Sequence, residues 1–244
     1  MKKTLKSLFR KIGLEDNRLN TDNSGSFQIA KIINHFNINT IYDIGANTGQ
    51  YAAELFELGF KGRIISFEPL STPHLKLVIN SKKNNRWYVH DRCAIGSKNG
   101  ETLINISQNS VSSSILPILN THVESAKDSA YIDTERVEVQ KFDSIFTKYY
   151  LSNEKSLLKI DTQGFENEVL EGARNSLSKI TLIQCELSLV PLYEKQKLYK
   201  EMIEKIESLG FTLWSIRSGF TNGNNGRTLQ VDAILVNNNE IFQY

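Results

Sequence analysis

From residue 40 onward, short β-rich runs alternate with amphipathic helical stretches, and this alternation restricts the fold more than any other feature. TIYDIG ends in a glycine and leads through GANTGQ into YAAELFELGF, where Gly59 is placed to stop the helix. GRIISFEP is a second strand, closed by Pro69. STPHLKLVINSKK reads as a helix with Ser71 or Thr72 as N-cap and Pro73 in the first turn, where a missing N–H costs nothing. WYVHDRCAIG is a third strand and its exit. A β-α-β-α-β run within about sixty residues predicts a parallel sheet wrapped by helices.

Residues 97–135 break the pattern. A short strand, ETLINIS, precedes the Ser-rich stretch QNSVSSSILPILNTHVESAKDSA. Long irregular insertions in compact domains often serve as lids or binding loops. RVEVQ is an alternating strand and KFDSIFTKYY a short helix. The alternation then resumes with strand SLLKIDTQG, helix FENEVLEGARNSL and strand KITLIQCEL. PLYEKQKLYKEMIEKIESLG reads as one long helix from Pro191 to the stop at Gly210. FTLWSIRS and LQVDAILVNN, joined by TNGNNGRT, form a terminal antiparallel hairpin.

The start of the chain differs. Leu5, Leu8, Phe9 and Ile12 make one helical stripe, and Lys2, Lys3, Lys6, Arg10 and Lys11 surround it. Such a helix packs on the domain or a partner subunit, the favoured reading, or touches an anionic membrane weakly. The stretch LEDNRLNTDNSGS is an exposed connection, and Ser26 is placed to cap a helix over 27–36. The expected organisation is a helical extension at 1–38 and one domain at 39–244, with its insert at 97–135.

With 29 basic and 27 acidic residues, no global field draws nucleic acid to the chain, so none is expected as partner. Cys93 and Cys185 make neither a disulfide framework nor a CxxC zinc site, and no metal is assigned. No apolar run approaches the roughly 18 residues needed to span a bilayer, and no signal-peptide pattern opens the chain. The expected compartment is the cytoplasm, and the sequon Asn105-Ile106-Ser107 is read as chance.

Two spaced features carry the chemistry. In DIGANTG, Gly45 and Gly49 permit a sharp turn and close ligand approach, while Asn47 tolerates left-handed geometry. Asp43, Thr48 and the rest of this turn sit where sheets of this kind bind ligands, outside the carboxyl ends of the strands. Glu68, followed by Pro69, ends the next strand, at the spacing of an acid that accepts both hydroxyls of a ribose. The run lacks the G-x-G-x-x-G spacing of a dinucleotide site, and an acid at 43 suits an ammonium better than a phosphate. S-adenosylmethionine, which has an amino group, a ribose and an adenine but no phosphate, fits both acids. The third strand's exit, with Asp91, Cys93 and Ala94, falls where its adenine is expected; a packed thiol at Cys93 is an equal reading.

The segments DIGANTGQYA, FEPLSTPHLKL, CAIGSKNGE, VSSSIL, KFDSI, LLKIDTQGFENEVLEGA and QCELSLVPLYE occur in that order. Together they resemble the FkbM-type methyltransferases, S-adenosylmethionine-dependent O-methyltransferases, over about residues 38–238. The most specific part is KIDTQGFENEVLEGA, where the family commonly shows K-I-D-x-E-G-x-E followed by V-L-x-G; Gln163 stands at the usual Glu. The resemblance implies the Rossmann-like class I methyltransferase fold. That fold is a three-layer α/β sandwich around a mostly parallel seven-stranded sheet with an antiparallel last strand.

It also implies methyl transfer to a hydroxyl of a sugar, glycan or natural product. Asp161 and Glu186, at the ends of the fourth and fifth strands, are the catalytic candidates, and Asp161 also lies beside the expected donor. Glu166 is a weaker one, since it can simply support a helix start. Ser112, Ser113, His122 and Gln163 are the acceptor candidates, with Ser110 and Ser114 nearby; His74, His90 and His122 are the imidazoles to consider as base. The polar insert, whose one aromatic is Tyr131, leans toward a carbohydrate. Two other classes stay open: a nucleotide-binding oxidoreductase, and a membrane-associated cofactor-binding module without catalysis.

Overall fold

The computed structural model describes residues 25–241. The basic stripe at 1–12 and the connection up to residue 24 lie outside the described residues. Helix α1 (Gly25–His35) starts one residue before the expected cap at Ser26. It buries Ile29, Ile32, Ile33 and the following Phe36, a stripe of helical period.

The alternating half matches its sequence pattern. Strand β1 (Thr40–Ile44), helix α2 (Gln50–Glu57), strand β2 (Arg63–Phe67), helix α3 (Ser71–Ser81) and strand β3 (Trp87–Val89) follow in order. Helix α3 has no side-chain cap; the Ser71 hydroxyl donates instead to Glu135. The chain then bends at Asp91–Arg92, so the expected third strand splits. Ala94–Ile95 becomes β4 of a second sheet, alongside β5 (Gly100–Ser107) and β6 (Tyr131–Gln140) in the order β4-β6-β5. The insert is therefore more regular than its sequence suggests. Residues 131–134 are polar or exposed and become strand only by pairing with β5. Between them lies helix α4 (Asn120–Ser125).

Helix α5 (Phe142–Tyr149), strand β7 (Ser156–Ile160), helix α6 (Glu166–Gly172) and strand β8 (Leu182–Ser188) continue the chain. The long helix expected from Pro191 is only α7 (Tyr199–Ser208). Residues 191–198 stay a loop because Gln196 Oε1 accepts from the Leu192 and Tyr193 amides at 2.5 and 2.7 Å, and Lys195 adopts φ +59°. The predicted hairpin forms as β9 (Phe211–Ser218) and β10 (Gln230–Asn237), followed by the short α8 (Asn238–Ile241).

The main sheet has seven strands in the order β3-β2-β1-β7-β8-β10-β9. Strands β3, β2, β1, β7 and β8 are mutually parallel, and β10 runs antiparallel to both neighbours. Successive residues face opposite layers. Ile41, Ile64 and Leu157 pack with α1, α2 and α3; Tyr42, Ile65 and Leu158 pack with α5, α6 and α7. The strand order reverses between β1 and β7, which opens a crevice at their carboxyl ends. Among the described residues no helix is long and apolar enough to cross a membrane.

Candidate functional site

At that crevice lies a cavity of about 370 Å³, within the range of small-ligand sites. The turn after β1 forms one wall. Gly45 has φ +79°, and a Cβ there would overlap the Asp161 carbonyl oxygen, so the two strand ends touch only because residue 45 is glycine. The Gly45 and Ala46 amides donate to Phe67 O at 3.1 and 3.0 Å, which binds this turn to the end of β2.

Glu68 is buried beside it. Its carboxylate accepts from the Asn47 amide at 2.8 Å and the Leu70 amide at 2.9 Å. Burial pushes its pKa up to about 7, against these two donors. Each oxygen keeps a lone pair, so the group can still accept from a ligand hydroxyl. Pro69, Cys93 and Ala94 line the same wall; burial holds the Cys93 thiol protonated, up to about 12.

Lys159 organises the floor. Its ammonium lies 3.2 Å from Asp43 Oδ1, 3.3 Å from Asp161 Oδ2 and 3.3 Å from Gly45 O. Burial works against its charge, but Asp161 and Asp43 outweigh that and hold the pKa above the ordinary value. Sequence reading missed this residue, although a lysine inside the apolar run SLLKI is itself a signal of a buried partner.

Gln163 joins the two expected catalytic acids. Its Nε2 donates to Asp161 Oδ1 at 2.9 Å and Glu186 Oε2 at 2.7 Å, and its Oε1 accepts from the Tyr193 hydroxyl at 2.8 Å. Its backbone sits at φ +54°, and its carbonyl accepts from Ser114 Oγ, which ties the insert to the site. Glu186 has a raised pKa, first from burial and then from Asp161, Glu166 and Asp232 nearby.

Gly45, Asn47, Glu68, Pro69, Cys93, Ala94, Ser113, Asp161, Gln163 and Glu186 thus meet around one cavity. Other expected positions do not line it. Asp43 is fully buried and its carboxylate is paired with Lys159, so in this structure it supports the floor and does not line the cavity. Gly49 lies under the Trp87 ring. Thr48 is engaged through its backbone, with Asn47 and Asn80. Asp91 points to solvent at the bend. Ser112 is buried in the insert, its carbonyl 3.0 Å from the Tyr193 hydroxyl.

His122 packs between the rings of Tyr193 and Phe220 in a satellite core. Burial pushes its pKa down to about 4, and it does not line the cavity. His74 Nε2 bonds the His90 carbonyl and His90 Nδ1 the Tyr149 hydroxyl, and neither ring lines the cavity. Glu166 accepts from the Thr162 and Gly164 amides at 3.0 Å each, which fixes the loop after β7.

The family pattern described as methyltransferase FkbM domain matches residues 43–213, most of the chain. The chain belongs to the FkbM methyltransferase family. It is accordingly a methyltransferase with S-adenosylmethionine as its cofactor, on the class I sheet seen here. No curated protein sequence matches it.

Three solved structures illustrate its similarity. One is Burkholderia thailandensis 1,6-didemethyltoxoflavin-N1-methyltransferase with bound 1,6-didemethyltoxoflavin and S-adenosylhomocysteine: 10% identity, TM-score 0.47, 96% of this chain and 87% of that one. A TehB-like S-adenosylmethionine-dependent methyltransferase from Corynebacterium glutamicum has 10% identity and TM-score 0.41, over 96% and 97%. Aeropyrum pernix fibrillarin with natively bound S-adenosylmethionine has 8% identity and TM-score 0.46, over 82% and 66%.

Proposed function

We propose that this FkbM methyltransferase moves the methyl group to a hydroxyl of a sugar, glycan or natural product. One observation carries the reading: Asp161 and Glu186 converge on the cavity floor, tied together by the Gln163 amide. When bound, S-adenosylmethionine supplies a methyl carbon electrophilic enough for an oxygen nucleophile. The residues fit that donor. The Gly45 turn allows close approach, Glu68 would hold the ribose, Cys93 and Ala94 would border the adenine, and Asp161 would take the amino group.

An alcohol becomes a competent nucleophile as its proton leaves. Glu186 is the group to receive it. Its Oε2 takes both the Gln163 and Gln230 amides at 2.7 Å, and its Oε1 has no hydrogen-bond partner among the described residues. The raised pKa makes its carboxylate form a strong base for its type. The Ser110, Val111 and Ser113 side of the insert closes the cavity from above. On this reading the acceptor is not nucleic acid, the reaction is cytoplasmic, and residues 1–12 add at most a weak contact with an anionic membrane surface.

The test incubates the protein with methyl-labelled donor and fractionated cell extract. A labelled product whose methyl group survives alkali and is released as methyl iodide by hot hydriodic acid supports an ether, hence a hydroxyl acceptor. Glu186→Gln should lower turnover at least ~100-fold with the smaller change in donor affinity. Donor binding without label in any fraction would leave the chain a silent module, and an alkali-labile label would point to a carboxyl acceptor.

A further inference from the structure

The cavity also has an arm lined by residues of α1, α2, β9 and β10 that the donor assignment above does not use. Ile29 and Leu55 give it an apolar wall, and Tyr51, Gln184, Arg217 and Asp232 give it a polar floor. The floor is a product of strand register. Arg217 of β9, Asp232 of β10 and Glu186 of β8 are direct cross-strand partners, so their side chains form a row across three strands.

Within that row, Arg217 Nη2 donates to Asp232 Oδ2 at 2.9 Å. Arg217 Nε is buried without a hydrogen-bond partner. A buried orphan donor in a pocket wall calls for an oxygen that the protein itself does not supply. The Tyr51 hydroxyl fixes Gln184 by donating to its Oε1 at 2.8 Å. Glu186 Oε1 stands open at the row's other end, so the arm offers both a donor and an acceptor along one line.

Charge decides what enters. Lys159 and Arg217 are the cations among the described residues that line the cavity. Both cations are committed, Lys159 to Asp43 and Asp161, and Arg217 to Asp232. Among the described lining residues neither cation is left to offset a phosphate, sulfate or carboxylate, which would also face Asp161 and Asp232. A hydroxyl both donates to a carboxylate oxygen and accepts from Arg217 Nε.

Resting on the methyl-transfer reading above, we infer that this arm is the acceptor subsite and that it takes a polyhydroxylated unit without an anionic group. The serines of the insert then form the rim, and the acceptor is gripped by the sheet.

The labelled product from the extract experiment, after mild acid hydrolysis, is passed over an anion exchanger at pH 8. The label should flow through; retention would overturn the subsite while leaving methyl transfer intact. Absence of any labelled product would take down both. With the labelled fraction as acceptor, Asp232→Asn should raise the acceptor KM at least ~10-fold, with S-adenosylhomocysteine affinity by calorimetry unchanged within ~2-fold. Should Asp232→Asn fail to fold, Gln184→Leu carries the same test. An unchanged acceptor KM in a folded variant would put the acceptor elsewhere.

Discussion

The substitution Gln163→Glu probes the electrostatics of the site with one amide exchanged for one carboxyl. In the wild type, the Gln163 amide lies 2.9 Å from an Asp161 oxygen and 2.7 Å from a Glu186 oxygen. The introduced carboxyl, once ionised, would put a negative charge at those distances from Asp161 and Glu186. Protonated, it would still donate through its O–H. Its folded pKa is therefore raised above the unfolded value of ~4.3. The variant should match the wild type below that value and lose stability as pH rises toward the folded pKa.

The neighbouring buried Glu68 and Glu166 sit at about 7. An equal elevation at position 163 would cost ~1.4 kcal/mol per pH unit, or roughly 4 kcal/mol for a fully buried group. Gln163 is only half-buried at the cavity wall, so solvent screening brings the loss to ~2 kcal/mol. In a chain of this size that corresponds to a Tm drop of ~4–8 °C relative to wild type at pH 8, vanishing near pH ~4.5. Thermal unfolding of both proteins across this range reads the difference directly. A Tm difference that is the same at both ends, or that grows toward acid, would refute the account of Gln163 as the neutral bridge between two acids.

Other variants test the remaining parts of the site. Glu68→Gln takes one acceptor oxygen from the carboxyl assigned to the ribose hydroxyls, so calorimetry should show donor affinity falling ~10-fold or more, and unchanged affinity would remove Glu68 from the site. In the wild type, donor affinity should rise from pH ~6 to pH ~8 as Glu68, raised to about 7, loses its proton, and then level off. Lys159→Met leaves Asp43 buried without its counter-charge and should cost ~3–5 kcal/mol in denaturant unfolding; a loss under ~1 kcal/mol would show that the ion pair is dispensable. Gly45→Ala drives a Cβ into the Asp161 carbonyl, and a soluble variant should melt well below wild type and lose donor binding.

The strand–helix rhythm, the Gly45 turn and the strand-end acids Glu68, Asp161 and Glu186 were all legible in the order of residues along the chain. Each of these is a local matter: the direction of a side chain repeats every two residues in a strand, and a sharp turn between strand and helix needs glycine where the backbone enters the left-handed region. Short-range signals misled where a local contact competed with periodicity. The segment 191–198 carries helical spacing, yet Gln196 captures two backbone amides and holds a loop. His122 looked like a ligand and became core because Tyr193 and Phe220, distant in sequence, enclose it.

Long-range packing was needed to turn Asp43 toward Lys159 beneath the cavity, and to place Arg217, Asp232 and Glu186 in one row. Strand β10 enters between β8 and β9, and the register of those pairings sets which charges become neighbours. That choice follows from burying apolar residues on both faces of the sheet, a condition satisfied by the whole chain at once and by no segment alone.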